Sequence, residues 1–117
     1  MRLSRQRGFT LVEIMIVIMI IGVLSLIAVP NFLNARAQSQ KNSCIANLHL
    51  VEAAKEQWAM DKKKGATDTP TSTDLIGSVT DGYIKYFPTC SGGGTYTIGN
   101  LVTRPTCSLS ASGHVLN

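Results

Sequence analysis

The chain has 117 residues, of which 44% are hydrophobic, and its 11 basic and 7 acidic side chains give a formal net charge of +4. Three of the basic residues, Arg2, Arg5 and Arg7, precede a long apolar run, so the rest of the chain is nearly neutral and its charge gives no argument for nucleic-acid binding. The part beyond the apolar run is long enough for one small domain but too short for two.

The apolar run covers residues 9–29, and Glu13 is its only charged side chain. A helix of this length spans about 30 Å, the thickness of the hydrocarbon core of a bilayer. The arginines before it predict a cytoplasmic N-terminus and a C-terminal domain outside. The run is too long for a secretory signal peptide. A simple membrane anchor leaves Glu13 unexplained, because a carboxylate at the centre of a membrane helix costs about 2.5–3.5 kcal/mol.

The stretch RGFTLVEI at residues 7–14 resembles the processing site of the type IV pilin superfamily, which includes the pseudopilins of type II secretion. The shared features are a short basic leader, a glycine, an aromatic residue and a glutamate five residues after the cut. The resemblance implies that a prepilin peptidase cuts between Gly8 and Phe9, that Phe9 becomes the N-methylated first residue, and that Glu13 serves assembly. It also implies a leader at 1–8, a transmembrane and assembly segment at 9–30 and an extracytoplasmic pilin domain at 31–117.

Physical chemistry favours a pairing between Phe9 and Glu13 of neighbouring subunits. The cut leaves an ammonium group at Phe9, at the positive end of the helix dipole. Because opposite charges attract strongly at low dielectric, a neighbour's ammonium relieves the cost of keeping Glu13 in lipid. The alternative is that Glu13 pairs within its own N-terminus or reaches the lipid headgroups.

The helical pattern continues beyond the membrane segment. We expect a kink or local melting over residues 22–30, because Pro30 removes a hydrogen bond inside the helix. Residues 31–64 contain no glycine or proline, and Lys55 falls on the solvent face with Glu52. Lysines at 62–64 followed by Gly65 predict that a helix beginning near Phe9 ends at about residue 64; we interpret the lysines as a helix end rather than a nucleic-acid patch. Apolar residues at helical spacing predict one buried face: Cys44, Leu48, Val51, Ala54 and Trp58.

The rest of the chain predicts a small β-region after a loop at 65–87. Residues 65–78 contain one possible helical turn, with Ser72 or Thr73 as its N-cap. The segment GYIKYFP at 82–88 is either a short strand or a loop that docks on the buried helix face. Residues 92–100 and 101–110 predict two short strands around a turn at 99–100, within a β-region at 88–117. The predicted fold class is α+β and pilin-like, with a long N-terminal helix, half in the membrane and half amphipathic, packed on a small antiparallel sheet.

Three cysteines, Cys44, Cys90 and Cys107, leave three possible pairings and one spare thiol. The resemblance to pilins, which often staple the C-terminal region, favours a disulfide between Cys90 and Cys107 with Cys44 as a buried thiol. Such a bond is worth about 3 kcal/mol in the chain-entropy model. Because these cysteines are scattered, as are His49 and His114, we expect no metal site.

Calcium is not expected either, because residues 88–117 contain no aspartate or glutamate. Acids elsewhere, such as Asp68, Asp74 and Asp81, are interpreted as turn and cap residues. The sequence contains no recognisable arrangement of a nucleophile with a base and no phosphate-binding loop. We therefore expect no cofactor and no catalysis.

The expected function is that of a structural subunit of a pilus-like filament, most consistent with a type II secretion pseudopilin. The alternatives are a surface or DNA-uptake pilin and a membrane-tethered binding domain that never assembles. The resemblance implies as partners copies of itself, other pilins, the prepilin peptidase, an assembly platform protein with its ATPase, and the membrane. It implies a single-pass protein of the cytoplasmic membrane that later enters a periplasmic or surface filament, with no direct nucleic-acid partner.

Overall fold

A computed structural model describes residues 7–77, 80 and 82–117, so most of the predicted leader, with Arg2 and Arg5, and also Asp81 lie outside the described residues. The described part confirms the α+β class, since a long helix is followed by a small antiparallel sheet. Its helices and strands are α1 (Leu11–Lys62), α2 (Ser72–Ile76), β1 (Tyr96–Thr97), β2 (Thr106–Cys107) and a 3-10 helix at Ser110–Ser112. The chain forms two compact units, one ending at Arg36 and the other covering Ala37–Asn117.

Helix α1 is continuous over 52 residues and contains Pro30. Residues 22–30 are all described and all helical, so the local melting that we expected there is absent and the kink at Pro30 stays a prediction. The helix ends two residues earlier than predicted, because Lys63 rather than a glycine takes the left-handed conformation, with φ of 50°. The Lys63 N–H donates to the Met60 carbonyl at 3.4 Å and the Lys64 N–H to the Ala59 carbonyl at 3.0 Å. These are the two hydrogen bonds of a Schellman cap.

The predicted buried face of α1 is confirmed, and the core of the second unit is built on it. One cluster joins Val51, Ala54 and Trp58 to Leu75 and Ile84. A second cluster contains Cys44, Leu48, Cys90 and Cys107.

Segment 82–88 forms no strand. It is the docking loop of the two alternatives, because Ile84 is buried in the first cluster while Tyr83 and Phe87 pack against it. Helix α2 begins after Thr71, which is its N-cap, so the predicted caps Ser72 and Thr73 were placed too late.

The connection between β1 and β2 differs from the predicted tight turn. Tyr96 pairs with Cys107 and Thr97 with Thr106, whereas a turn at 99–100 would have placed Cys107 opposite residue 92 or 93. The register differs because the two strands are connected by a longer loop, which is held closed by hydrogen bonds to the Asn100 side chain. Its Oδ1 accepts hydrogen bonds from the backbone N–H groups of Val102 and Thr103, at 3.2 and 2.8 Å.

Lys55 also departs from its predicted place on the solvent face. Only 2% of it is exposed, and its ammonium donates to backbone carbonyls of the same loop. The periodicity of α1 alone could not place it, because its partners come from the far end of the chain.

Candidate functional site

The N-terminal part of α1 exposes a continuous apolar surface. The helix is long and apolar enough to cross a membrane, and its most apolar stretch has a mean hydropathy of 2.9 with no residue buried within the protein. Phe9, just before the helix, is 82% exposed. An exposed apolar surface of this extent is stable when it contacts lipid or other protein chains, but not when it faces water. This surface is therefore the first candidate for function.

Glu13 lies at the beginning of this helix and makes a reciprocal contact with Thr10. The Glu13 N–H donates to Thr10 Oγ1 at 3.1 Å, and the Thr10 N–H donates to Glu13 Oε2 at 3.4 Å. This is a capping box, which satisfies two of the free N–H groups at a helix N-terminus. In the single chain, the carboxylate thus has a partner within its own N-terminus, as in the alternative given above.

Within the described residues, the surroundings of the predicted cleavage bond are open. Apart from the two chain neighbours of Gly8, none of the described residues has a heavy atom within 4 Å of a Cβ added there, and Phe9 is the most exposed large apolar residue among them. The structure therefore brings Gly8, Phe9 and Glu13 together at one end of α1. Pro30 lies inside the helix, and the two cysteines of the predicted disulfide lie in the other unit.

A second group of chemically active side chains meets in the Ala37–Asn117 unit. The sulfur atoms of Cys44, Cys90 and Cys107 and a ring nitrogen of His114 all lie within 4.8 Å of one another, and all four residues are buried. We call this group the thiol–imidazole cluster. Helix α1 supplies Cys44, the loop before β1 supplies Cys90, β2 supplies Cys107, and the segment after the 3-10 helix supplies His114. All three thiols are free in the structure, so the disulfide between Cys90 and Cys107 stays a prediction.

The fold removes the argument that we used against a metal site. The cysteines and histidines are scattered in the sequence, whereas folding brings four of them together. His49 is not among them; it lies on the exposed side of α1, 4.0 Å from Glu52. The sequence carried one sign of the convergence, the repeated PTCS at 88–91 and 105–108, which places each of two cysteines after a buried proline.

Polar groups around the thiol–imidazole cluster point at the sulfur atoms. Burial raises the pKa of Cys44 to about 12, although the Tyr96 hydroxyl donates to its sulfur and opposes this shift. At Cys90 burial is outweighed by the backbone N–H groups of Gly94 and Gly92, which donate to the sulfur and lower the pKa to about 6. The Tyr96 hydroxyl is itself held by Asn47, whose Nδ2 donates to it at 3.2 Å. The surroundings therefore favour a thiolate at Cys90, whereas burial disfavours one at Cys44.

Comparison with known proteins finds relatives of two kinds. Residues 3–29 match the family model described as the prokaryotic N-terminal methylation motif. Type II secretion system core protein G of Escherichia coli is 33% identical over 107 residues, which cover 83% of this chain and 74% of that protein. The protein of the same name from Klebsiella michiganensis is 31% identical over 108 residues, 84% of this chain and 76% of its own length.

Two type IV pilins match about half of the chain. The type IV major pilin protein PilA of Myxococcus xanthus is 42% identical over 60 residues, 51% of this chain and 27% of that protein. The type IV major fimbrial protein FimA of Dichelobacter nodosus is 42% identical over 62 residues, 53% of this chain and 40% of its own length. No solved structure matches the chain significantly.

Proposed function

Because the chain belongs to the superfamily of type IV pilins and type II secretion pseudopilins, we propose that it serves a type II secretion system as a core pseudopilin. It is a structural subunit of a multi-subunit filament and not an enzyme. One observation favours the secretion machine over a surface or DNA-uptake pilus. Similarity to protein G of Escherichia coli covers 83% of the chain, whereas similarity to the type IV pilin PilA covers 51% of it.

The first proposed step in the maturation of the subunit is cleavage by a prepilin peptidase between Gly8 and Phe9, together with N-methylation of Phe9. The match to the methylation motif supports this, as does the open surrounding of Gly8. The basic residues before the cut support a cytoplasmic N-terminus and an extracytoplasmic domain. An assembly platform protein with its ATPase then moves the subunit from the cytoplasmic membrane into a periplasmic filament.

The second step is a change of partner at Glu13. In the single chain the carboxylate accepts a 3.4 Å hydrogen bond from Thr10, and a capping interaction is worth about 0.5–2 kcal/mol. An ammonium at 4 Å attracts a carboxylate by about 4 kcal/mol at an effective dielectric constant of 20. The methylated ammonium of a neighbour's Phe9 is therefore the stronger partner, and the exchange draws the subunit into the filament in one register.

Mass spectrometry of the mature protein tests the processing step. We expect an N-terminus at Phe9 that carries one methyl group. An intact Met1 would instead identify a membrane-tethered domain that never assembles, and an N-terminus near Val29 would identify a secreted protein. Either of these two results would contradict the proposal.

Substitutions at the helix N-terminus test the assembly step. Glu13→Gln keeps a side chain that can complete the capping box but removes its charge. Thr10→Val removes the cap and keeps the charge. We expect both variants to insert into the membrane, and filament yield to fall at least about tenfold in Glu13→Gln only, since 1.4 kcal/mol is a factor of ten. Electron microscopy of sheared filaments gives the yield; normal filaments from Glu13→Gln would overturn the pairing.

A further inference from the structure

We propose that Cys44, Cys90, Cys107 and His114 bind one zinc ion in a closed, tetrahedral site that fastens the C-terminal segment to α1. The donor atoms already have nearly the required spacing. In a tetrahedral site with Zn–S near 2.3 Å and Zn–N near 2.0 Å, a sulfur and a nitrogen lie about 3.6 Å apart. Cys90 Sγ and His114 Nδ1 are 3.7 Å apart. All four donor atoms lie within 4.8 Å of one another, so no pair has to close by more than about 1 Å to reach the spacing of zinc ligands.

The chemistry of the donors selects the metal. Three thiolates and one imidazole are a common ligand set of structural zinc. The cluster contains no carboxylate, so calcium and magnesium, which prefer oxygen ligands, are poor competitors. Because the protein supplies four ligands and all four are buried, no position is left open for a substrate or a reactive water. The site is therefore structural, in agreement with a subunit that carries out no catalysis.

The groups around the cluster are those that a thiolate-rich site needs. Backbone N–H groups of Gly92 and Gly94 donate to the sulfur of Cys90, and the Tyr96 hydroxyl donates to that of Cys44. Hydrogen bonds of this kind orient metal ligands and disperse the charge of the thiolates. The side-chain amide of Asn47 donates a hydrogen bond to the Tyr96 hydroxyl and so fixes its position. The two glycines belong to the same loop as Cys90, whereas Tyr96 in β1 reaches Cys44 in α1.

Two glycines allow the loop to wrap around the sulfurs. A Cβ added at Gly94 would lie 2.7 Å from Cys107 Sγ, closer than real Cβ atoms approach other atoms. A Cβ at Gly92 would lie 3.2 Å from a ring carbon of His114. The backbone thus passes the cluster at a distance that leaves no room for a side chain. This close packing explains the glycines at 92 and 94, whereas Gly93 between them takes a φ of 88°, a conformation that favours glycine.

A zinc ion would supply a cross-link that the domain otherwise lacks. The second core cluster consists of only four buried residues, three of which are the cysteines themselves. Small domains with such thin cores are commonly stabilised by disulfides or structural metals. A disulfide between Cys90 and Cys107 would use two of the four donors and give no role to Cys44 and His114. The metal uses all four and joins α1, β2, the loop before β1 and the end of the chain.

Metal analysis of the full-length chain in detergent tests the proposal. The protein is purified under a reductant that does not bind metal, with Zn²⁺ supplied during growth and removed from the final buffers. We expect one zinc per chain and three thiols that react only after chelation under denaturing conditions. Exchange with Co²⁺ should give the strong visible bands of a tetrahedral site and sulfur-to-cobalt charge transfer. Zinc-free protein, whether its thiols react freely or its mass shows a disulfide between Cys90 and Cys107, would overturn the proposal.

The two histidines provide a matched pair of variants. His114→Gln removes a ligand, and we expect the affinity for Zn²⁺ to fall at least about 100-fold, since even residues behind the ligands are worth 10- to 100-fold. His49→Gln changes the exposed histidine of α1 and should bind as the unchanged protein does. Equal affinity of both variants would exclude His114 as a ligand. If His114→Gln fails to fold, the cobalt spectrum of the unchanged protein still tests the proposal. It shows whether a site with three sulfur ligands and one nitrogen ligand is present or absent.

Discussion

Lys55 illustrates how a single buried charge can organise a loop. Its ammonium donates to the carbonyls of Ile98, Asn100 and Thr103, at 3.3, 2.9 and 2.6 Å. These three bonds use the three donors of the group. Burial lowers its pKa, while the nearby carboxylate of Glu52 opposes the shift. A buried charge is tolerated when its hydrogen bonds are made, and here they hold the loop between β1 and β2 against α1.

The contribution of Lys55 can be measured with Lys55→Met. Methionine is also long and unbranched but donates no hydrogen bonds, so three carbonyls lose their partner. We expect the free energy of unfolding to fall by about 2 kcal/mol, because unpaired buried polar groups cost about 1–3 kcal/mol. Denaturant unfolding followed by the fluorescence of Trp58, the single tryptophan, gives the value. The matched control is Lys85→Met, at an exposed lysine, where a change within about 0.5 kcal/mol is expected. Equal stabilities of the two variants would show that the loop does not need the ammonium.

At the scale of elements, α2 depends on its first turn. Thr71 donates to the Asp74 carboxylate through its backbone N–H at 2.8 Å and through its hydroxyl at 2.6 Å. The Asp74 N–H donates back to Thr71 Oγ1 at 3.3 Å. A helix of five residues has little internal stabilisation, so this capping box and the buried Leu75 fix its position. Of the three consecutive hydroxyl residues at 71–73, only Thr71 has an acid three positions later.

The capping box predicts a pH dependence for α2. The side chain of Thr71, and then its backbone N–H, hold the pKa of Asp74 below its ordinary value of 3.8. The carboxylate therefore stabilises the helix above pH 3.8, and this stabilisation is lost as the pH falls below that value through the lowered pKa. We expect amide hydrogen exchange of Leu75 to accelerate in that range beyond its intrinsic pH dependence. In Asp74→Asn this additional change should disappear, whereas Asp61→Asn, at an acid on α1, should keep it. The same profile in both variants would contradict the assignment to Asp74.

Elements whose signal is local could be predicted from the sequence, and those that depend on distant partners could not. The stripe from Cys44 to Trp58 followed from helical spacing, and the processing motif is contiguous around Gly8 and Glu13. The register of β1 and β2 was wrong because the strands are joined by a longer loop, which closes on Asn100 and is held by Lys55, more than 40 residues earlier in the chain. The thiol–imidazole cluster was missed for the same reason. Rules for metal ligands use short spacings within one motif, and these four ligands come from separate elements.

The two units of the molecule differ in whether their apolar side chains are exposed or buried. The unit ending at Arg36 exposes its apolar side chains, while both core clusters lie entirely within Ala37–Asn117. In the function proposed above, the carboxylate at the start of the apolar helix is the group by which the first unit recognises another copy. The second unit has its own core and does not need the first one to bury it. Assembly and the stability of the domain are therefore separable properties of this chain.

This separation predicts that Ala37–Asn117, expressed alone with zinc available, is a soluble and folded monomer. We expect one cooperative unfolding transition and the fluorescence of a buried Trp58, whereas the chain from Phe9 onward should need detergent. Two adjacent residues of α1 supply the controls, because Val51 is fully buried and Leu50 is 47% exposed. Val51→Asp should abolish the transition, since an unpaired charge in the core is strongly destabilising. Leu50→Asp should leave it nearly unchanged. An aggregated or non-cooperative fragment would show that the core needs the preceding residues, and the two units would then not be independent.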